Sequence, residues 1–206
     1  MKICGLTGGV GMGKSAAAGF LRERGAQIVD TDEIARQLVQ PGQPALDKIR
    51  TAFGKTVIAS TGGLNRAELA RIVFADADAR KKLEAILHPP IREQWLAQVE
   101  AWLAAPKRSD GGRGGNHPLV VVVIPLLFET RAESHFDKIL CAACSDATRR
   151  ERLLARGWTP EQIRQRVAAQ MPVGEKIARA DFVIWTEGTL AAHARQIERI
   201  LDSLNW

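Results

Sequence analysis

Short apolar runs alternate along the chain with stretches of helical periodicity. Residues 3–6 form a brief apolar run, 27–30 a second, and 119–124 a continuous β-branched run of the kind expected for a central strand buried on both faces. Residues 138–144 and 181–185 supply a fourth and fifth. Helical patterns follow them: a small-residue helix over 16–24, another over 33–39, basic helical stretches from Ser145 that include 160–171, and an amphipathic closing helix over 189–204. This pattern predicts an open parallel α/β sheet, in which ligands bind at the carboxyl ends of the strands.

Between residues 43 and 105 the strands vanish. Helical periodicity covers 45–53, 66–74 and 77–87, punctuated by Pro41-Gly42 and Thr61-Gly62-Gly63, and the sequence reads as an inserted helical region. His88-Pro89-Pro90 is expected to break a long helical stretch before 91–103 resumes. Residues 106–118 hold four glycines and no apolar side chain and are expected to be a surface loop. The expected division is one domain over 1–206: a core at about 1–42, 119–145 and 181–206, a helical region at about 43–105, and a segment at about 146–180.

Composition narrows the class. The chain has 206 residues, 46% hydrophobic and 25% charged, enough for one sizeable core. The longest apolar run, 119–128, is interrupted by Pro125 and too short to span a bilayer, and no signal peptide is read at the N-terminus, so a cytoplasmic protein without a membrane partner is expected. Cys141-Ala-Ala-Cys144 lacks the second ligand pair of a zinc site and reads as a strand end. A net charge of +6 fits nucleic acid or phosphorylated small molecules equally well. No aromatic strip or nucleic-acid motif accompanies it, and no nucleic-acid or protein partner is expected.

The chemistry centres on Gly8-Gly9-Val10-Gly11-Met12-Gly13-Lys14-Ser15, which fits GxxxxGK[ST] between the first strand and the first helix. Its glycines let successive N–H groups converge on one anion, and the helix beginning near Gly13 adds its positive end. Lys14 is placed to reach the β- and γ-phosphates of a nucleotide, and the Ser15 hydroxyl to ligate Mg²⁺. At the carboxyl end of the second strand stand Asp30 and Asp32; Asp32 is a candidate for chemistry and also for the N-cap of the following helix. His88 is the polar candidate in the helical region. Glu129 follows the central strand, although Ile124 stands where a Walker-B acid is usual. From Ser145 onward arginines crowd the chain, most of them expected on a solvated face, with Gly157 and Gly174 as hinges of an arginine-bearing lid over about 146–180.

Taken in order, the phosphate loop, VDTDEIAR, LHPPIR, PLLFE and the arginine-rich tail ending ADFVI resemble the dephospho-CoA kinases nearly end to end. The resemblance implies an α/β, adenylate-kinase-like P-loop fold with a five-stranded parallel sheet in order 2-3-1-4-5, a helical substrate region and a lid. It also implies ATP-dependent phosphorylation of the ribose 3′-hydroxyl of dephospho-CoA, with ATP and Mg²⁺. By the same likeness Asp32 matches the proposed general base, Lys14 the phosphate-loop lysine, and Arg152 and Arg156 the lid. His88, Arg92 and the backbone of Pro125, Leu126 and Leu127 match the acceptor side. Met12 and Ala16, in the nucleotide-binding stretch from Gly8 to Ala16, replace the family's usual Ser and Thr, and their side chains are expected to be dispensable. Asn65 replaces a frequent Asp, and 107–117 looks inserted. Other small-molecule or nucleotide kinases remain the alternative. A GTP switch lacks its NKxD reader and DxxG strand here, and a dinucleotide oxidoreductase is disfavoured because Lys14 stands on the last glycine of the nearest GxGxxG frame.

Overall fold

The computed structural model describes residues 2–104 and 119–206; the glycine-rich stretch at 106–118, with the insertion expected at 107–117, lies outside the described residues. Fourteen regular elements follow one another among those residues: β1 (Lys2–Thr7), α1 (Lys14–Glu23), β2 (Gln27–Asp30), α2 (Thr31–Leu38), α3 (Pro44–Phe53), α4 (Arg66–Ala75), α5 (Ala77–Ala104), β3 (Leu119–Val123), β4 (Lys138–Ala143), α6 (Asp146–Ala155), α7 (Pro160–Ala168), α8 (Val173–Arg179), β5 (Phe182–Trp185) and α9 (Leu190–Ser203). They form two compact units, Asp30–Ala104 and the remainder of the described chain. The helical unit thus takes in α2 and begins at Asp30.

The sheet runs β2-β3-β1-β4-β5, the order implied by the family resemblance. β1 pairs in parallel with β3 on one side, Gly5 opposite Val122, and with β4 on the other, Gly5 opposite Ile139; β4 pairs in parallel with β5. Every residue of β3 is buried, as its unbroken valine run requires of a strand covered on both faces. Cys4, Leu6, Leu119, Val121, Val123, Leu140, Ala142 and Ile184 build one core with Ala17, Ala18 and Leu21 of α1. α9 completes it with Ile197, Ile200 and Leu201, and its His193 is buried on the same face, a spacing that puts all four on one stripe. At the sheet's outer strand the backbone of Trp185 is held by a side chain: its N–H donates to Gln196 Oε1 at 2.9 Å, and Gln196 Nε2 donates back to its carbonyl at 2.8 Å.

The helical unit has its own core of Val39, Ile49, Val57, Leu69 and Val73, with Phe53, Ile72, Leu83, Ile86 and Leu87 packed on it. Asp30 caps α2 by accepting the Asp32 N–H at 2.9 Å, so the expected capping role of Asp32 passes to Asp30, and Asp32 sits inside the first turn. Asn65 caps α4, accepting the Glu68 N–H at 3.2 Å, a role an amide fills as well as a carboxylate. One expectation fails outright: α5 runs for 28 residues straight through Pro89 and Pro90. Each proline removes a helical hydrogen bond and costs about 3 kcal/mol. Packing of α5 against α2, α3 and α4 outweighs that local preference.

Candidate active site

β1 stops at Thr7 and α1 starts at Lys14, leaving Gly8 to Gly13 as the connecting loop. Gly8 has φ 142°, and a Cβ there would stand 2.3 Å from the Ala142 carbonyl oxygen of β4, so no side chain fits. Gly13, the residue before α1, has φ 86° and would drive a Cβ to 2.8 Å from Thr186 Oγ1. It offers the helix no side-chain cap, and no acidic residue neutralises the first turn. The first N–H groups and the positive end of α1 are thereby left for an anion. Lys14 Nζ donates to the carbonyls of Gly8 at 2.8 Å and Gly9 at 2.9 Å, which sets its charge at the loop. Ser15 and Ala16 lie exposed in the same first turn.

The loop is braced from behind. Met12 is wholly buried, and its sulfur accepts the Cys144 N–H at 3.2 Å while packing with Ala143, Cys144, Val173 and Ile177. Its side chain is therefore not dispensable, because the thioether fills the space between the loop and the end of β4. Thr186, at the end of β5, donates its hydroxyl to the Met12 carbonyl at 3.1 Å. Arg152 of α6 in turn donates Nη1 to Thr186 Oγ1 at 2.8 Å and Nη2 to the Thr186 carbonyl.

The other arginines divide by what they touch. Arg149 lays its stem against the loop, Cγ 3.2 Å from where a Cβ on Gly11 would stand, and pairs with Asp146 at 2.9 Å. Arg164 pairs with Glu161, Arg166 stacks over Trp158 at 4.0 Å, and Arg179 pairs with Glu133 and lies 4.4 Å over Phe128. Arg156 is exposed at the end of α6. α7 opens with a complete capping box between Thr159 and Gln162.

Past β3, Pro125 and Leu126 are half-buried and Leu127 is fully buried. The Pro125 carbonyl accepts from Lys176 Nζ at 2.6 Å and from the Thr7 hydroxyl at 3.3 Å. Lys176 is 0% exposed and pairs with Glu129 at 2.8 Å, whose Oε1 also accepts the Met171 N–H at 2.8 Å. This buried tie fixes the chain on both sides of Gly174, which makes that residue part of a post rather than a hinge. Cys141 lies in β4 and Cys144 just past it, both buried, and burial lifts the Cys141 thiol to about 11. That is a strand end.

The loop, Arg152, Arg156 and Pro125 to Leu127 belong to the sheet unit; Asp32, His88 and Arg92 belong to the helical unit. Asp32 is exposed. His88 lies between Glu84 and Arg92, one turn away on either side of α5; burial lowers its pKa, Glu84 opposes the shift and Arg92 adds to it. Thr186, Gln170, Lys176 and Arg149 escaped the sequence reading. A Thr in a turn, a Gln after a helix and one Arg among many carry no motif, and Lys is a residue type seldom fully buried.

The family model described as dephospho-CoA kinase matches residues 2–192. The chain is 41% identical over 198 residues to the dephospho-CoA kinase of Geobacillus kaustophilus, covering 96% of this chain and 94% of that one. The crystal structure of TT1252 from Thermus thermophilus is similar with a TM-score of 0.78 at 33% identity, over 98% of this chain and 97% of that one. A dephospho-CoA kinase from Campylobacter jejuni shares the fold at a TM-score of 0.66 and 22% identity, over 98% and 96% of the two chains.

Proposed function

The chain belongs to the dephospho-CoA kinase family, and from that premise we propose that it transfers the γ-phosphoryl group of ATP to the ribose 3′-hydroxyl of dephospho-CoA, giving coenzyme A. The observation that carries the reading is the Gly8 to Ser15 loop, with its uncapped helix start and Lys14 drawn onto the loop carbonyls.

Backbone N–H groups of the loop hold the phosphates, and Lys14 swings from the Gly8 and Gly9 carbonyls to the transferring group, where its charge stabilises the loose transition state. Within the segment of about 146–180, the part ahead of the Met171–Glu129 tie acts as the lid and carries Arg156 as a cation, while Arg152 supports the loop through Thr186. The Asp32 carboxylate accepts the proton of the attacking hydroxyl. His88, Arg92 and the Pro125 to Leu127 backbone position the acceptor, since positioning contributes most when the transition state is loose. The exposed Ser15 hydroxyl, in the first turn of α1, would hold Mg²⁺ together with the nucleotide's phosphate oxygens. When bound it neutralises phosphate charge.

Free, buried cysteines fit a reducing compartment, and we place the enzyme in the cytoplasm. No helix among the described residues is long and apolar enough to cross a membrane. A coupled ADP-release assay across dephospho-CoA, adenosine, AMP, CMP and pantothenate tests the substrate. Dephospho-CoA is expected to turn over fastest; faster turnover of a nucleoside monophosphate would replace this reading with a nucleotide kinase.

A further inference from the structure

Three consecutive carbonyls past β3 are held by the protein. That of Leu126 accepts from the Thr130 N–H at 2.9 Å and the Thr130 hydroxyl at 2.8 Å, and that of Leu127 from the Ala132 N–H at 3.0 Å, so these two are fixed within the turn itself. The Pro125 carbonyl is held from elsewhere in the chain, by Lys176 Nζ of α8 at 2.6 Å and by the Thr7 hydroxyl of β1 at 3.3 Å. Lys176 also reaches the far end of the same turn, its Nζ 2.8 Å from Glu129 Oε1 and 3.1 Å from Oε2. One ammonium, on a residue 0% exposed, thus clamps the turn at Pro125 and Glu129 together. Three rotatable donors on a flexible stem suit it to that task. It also stands at the end of the sheet where ligands bind. Cys141 lies opposite Thr7, the last residue before the phosphate loop, and Lys176 and Lys14 both act on its thiol, opposing the rise that burial imposes.

The reaction itself gives this second lysine no part, since Lys14 serves the transferring group and Lys176 spends its donors on the protein. Positioning contributes most when the transition state is loose, and in the kinase reading the backbone of Pro125 to Leu127 holds the acceptor. We infer that Lys176 is a positioning residue for the acceptor: by clamping the turn at Pro125 and Glu129 it sets the backbone against which dephospho-CoA is placed. The inference rests on the kinase reading and separates the two substrates. The phosphate loop has braces of its own, with Thr186 on the Met12 carbonyl, the Met12 sulfur on the Cys144 N–H and Gln170 on the Val10 N–H, and none of them involves Lys176. Loss of the clamp is therefore felt in the use of acceptor rather than of ATP.

The test is steady-state kinetics of the wild-type chain, K176M and E129Q, with dephospho-CoA and ATP varied in turn, at a temperature where circular dichroism shows the variants folded. K176M keeps the length of the side chain without its donors, and is expected to raise the KM for dephospho-CoA about tenfold or more, the loss of one hydrogen bond to a charged group. Its KM for ATP is expected to stay within about twofold of wild type. E129Q leaves the Pro125 end of the clamp in place and offers the ammonium a weaker, neutral acceptor, so the same KM is expected to rise about two- to threefold. Instability alone lowers the fraction of folded enzyme, which scales kcat and moves neither KM. An unchanged KM for dephospho-CoA in K176M, or an equal rise in the KM for ATP, overturns the inference. Should K176M lose the native spectrum, E129Q decides, and a wild-type KM for dephospho-CoA there overturns it. Absence of dephospho-CoA turnover by the wild-type chain overturns the kinase reading instead.

Discussion

Arg152 reaches the phosphate loop through Thr186. Its guanidinium forks onto the threonine hydroxyl and carbonyl, and that hydroxyl passes the contact on to the carbonyl of Met12, 3.1 Å away. The arginine therefore braces the loop from behind. Thr186→Val keeps the side-chain shape but removes one donor and one acceptor, and is expected to cost about 1–3 kcal/mol of stability and to raise the KM for ATP. Thr186→Ser restores both. Urea titrations paired with initial rates check it; wild-type behaviour in Thr186→Val would mean the relay carries no energy.

Lys14→Ala removes the one lysine of the loop together with its ties to Gly8 and Gly9. Turnover is expected to fall by about two to three orders of magnitude, the usual consequence of losing a charge aimed at a developing transition state. Circular dichroism should show an intact fold. Activity within a few-fold of wild type in the folded variant would remove Lys14 from the mechanism.

Asp32→Asn keeps size and polarity but cannot take a proton. With the helix cap resting on Asp30, the substitution leaves α2 intact. Turnover of dephospho-CoA is expected to drop about 10²- to 10⁴-fold, with acceptor affinity by titration little changed. Full activity would exclude Asp32 as the base.

Lys176→Met strips the cation from Glu129 and a donor from the Pro125 carbonyl. Glu129 is exposed and is left to solvent, so the cost lies in the Pro125 carbonyl losing its shorter donor, and a loss of about 1–3 kcal/mol is expected in urea unfolding. Adding Glu129→Gln should return little of it, because the released carboxylate is already solvated.

Glu187 sets an acid limit. Its carboxylate accepts hydrogen bonds from Ser145 and Thr148 and from the Trp185 indole, and these hold its pKa at about 2 against an ordinary 4.5. The unfolded chain takes up the proton first as pH falls. The contribution is thus complete above about pH 4.5 and is lost as pH drops through about 2. Denaturant midpoints from neutral to acid pH should converge between wild type and Glu187→Gln across that window. Parallel curves would assign the acid loss to other groups.

The sheet was legible in the sequence because its strands are unmixed: a valine run such as β3 has no other stable setting, and GxxxxGK[ST] announces the turn between β1 and α1. The site was legible as far as single residues carry motifs, which covers Lys14, Ser15 and the glycines. Contacts that depend on which surfaces meet were not. Thr186, Arg152 and Met12 are 174 residues apart at the extremes, and nothing local marks Thr186 as the residue beneath the loop. Lys176 reads as a surface residue in any window. The prolines of α5 misled in the opposite way, since a strong local signal was overruled by packing that only the folded unit provides.

Gln196 does something more general than tie a helix to a strand. An outer strand exposes N–H and C=O groups that invite another chain to pair, and here an indole 41% exposed would add an apolar lure. The amide of Gln196 presents one donor and one acceptor to Trp185 at the spacing a neighbouring peptide would use. It imitates a single residue of a sixth strand. A helix side chain thus occupies the Trp185 N–H and C=O groups that an added strand would need, and blunts this edge at that residue without lengthening the sheet.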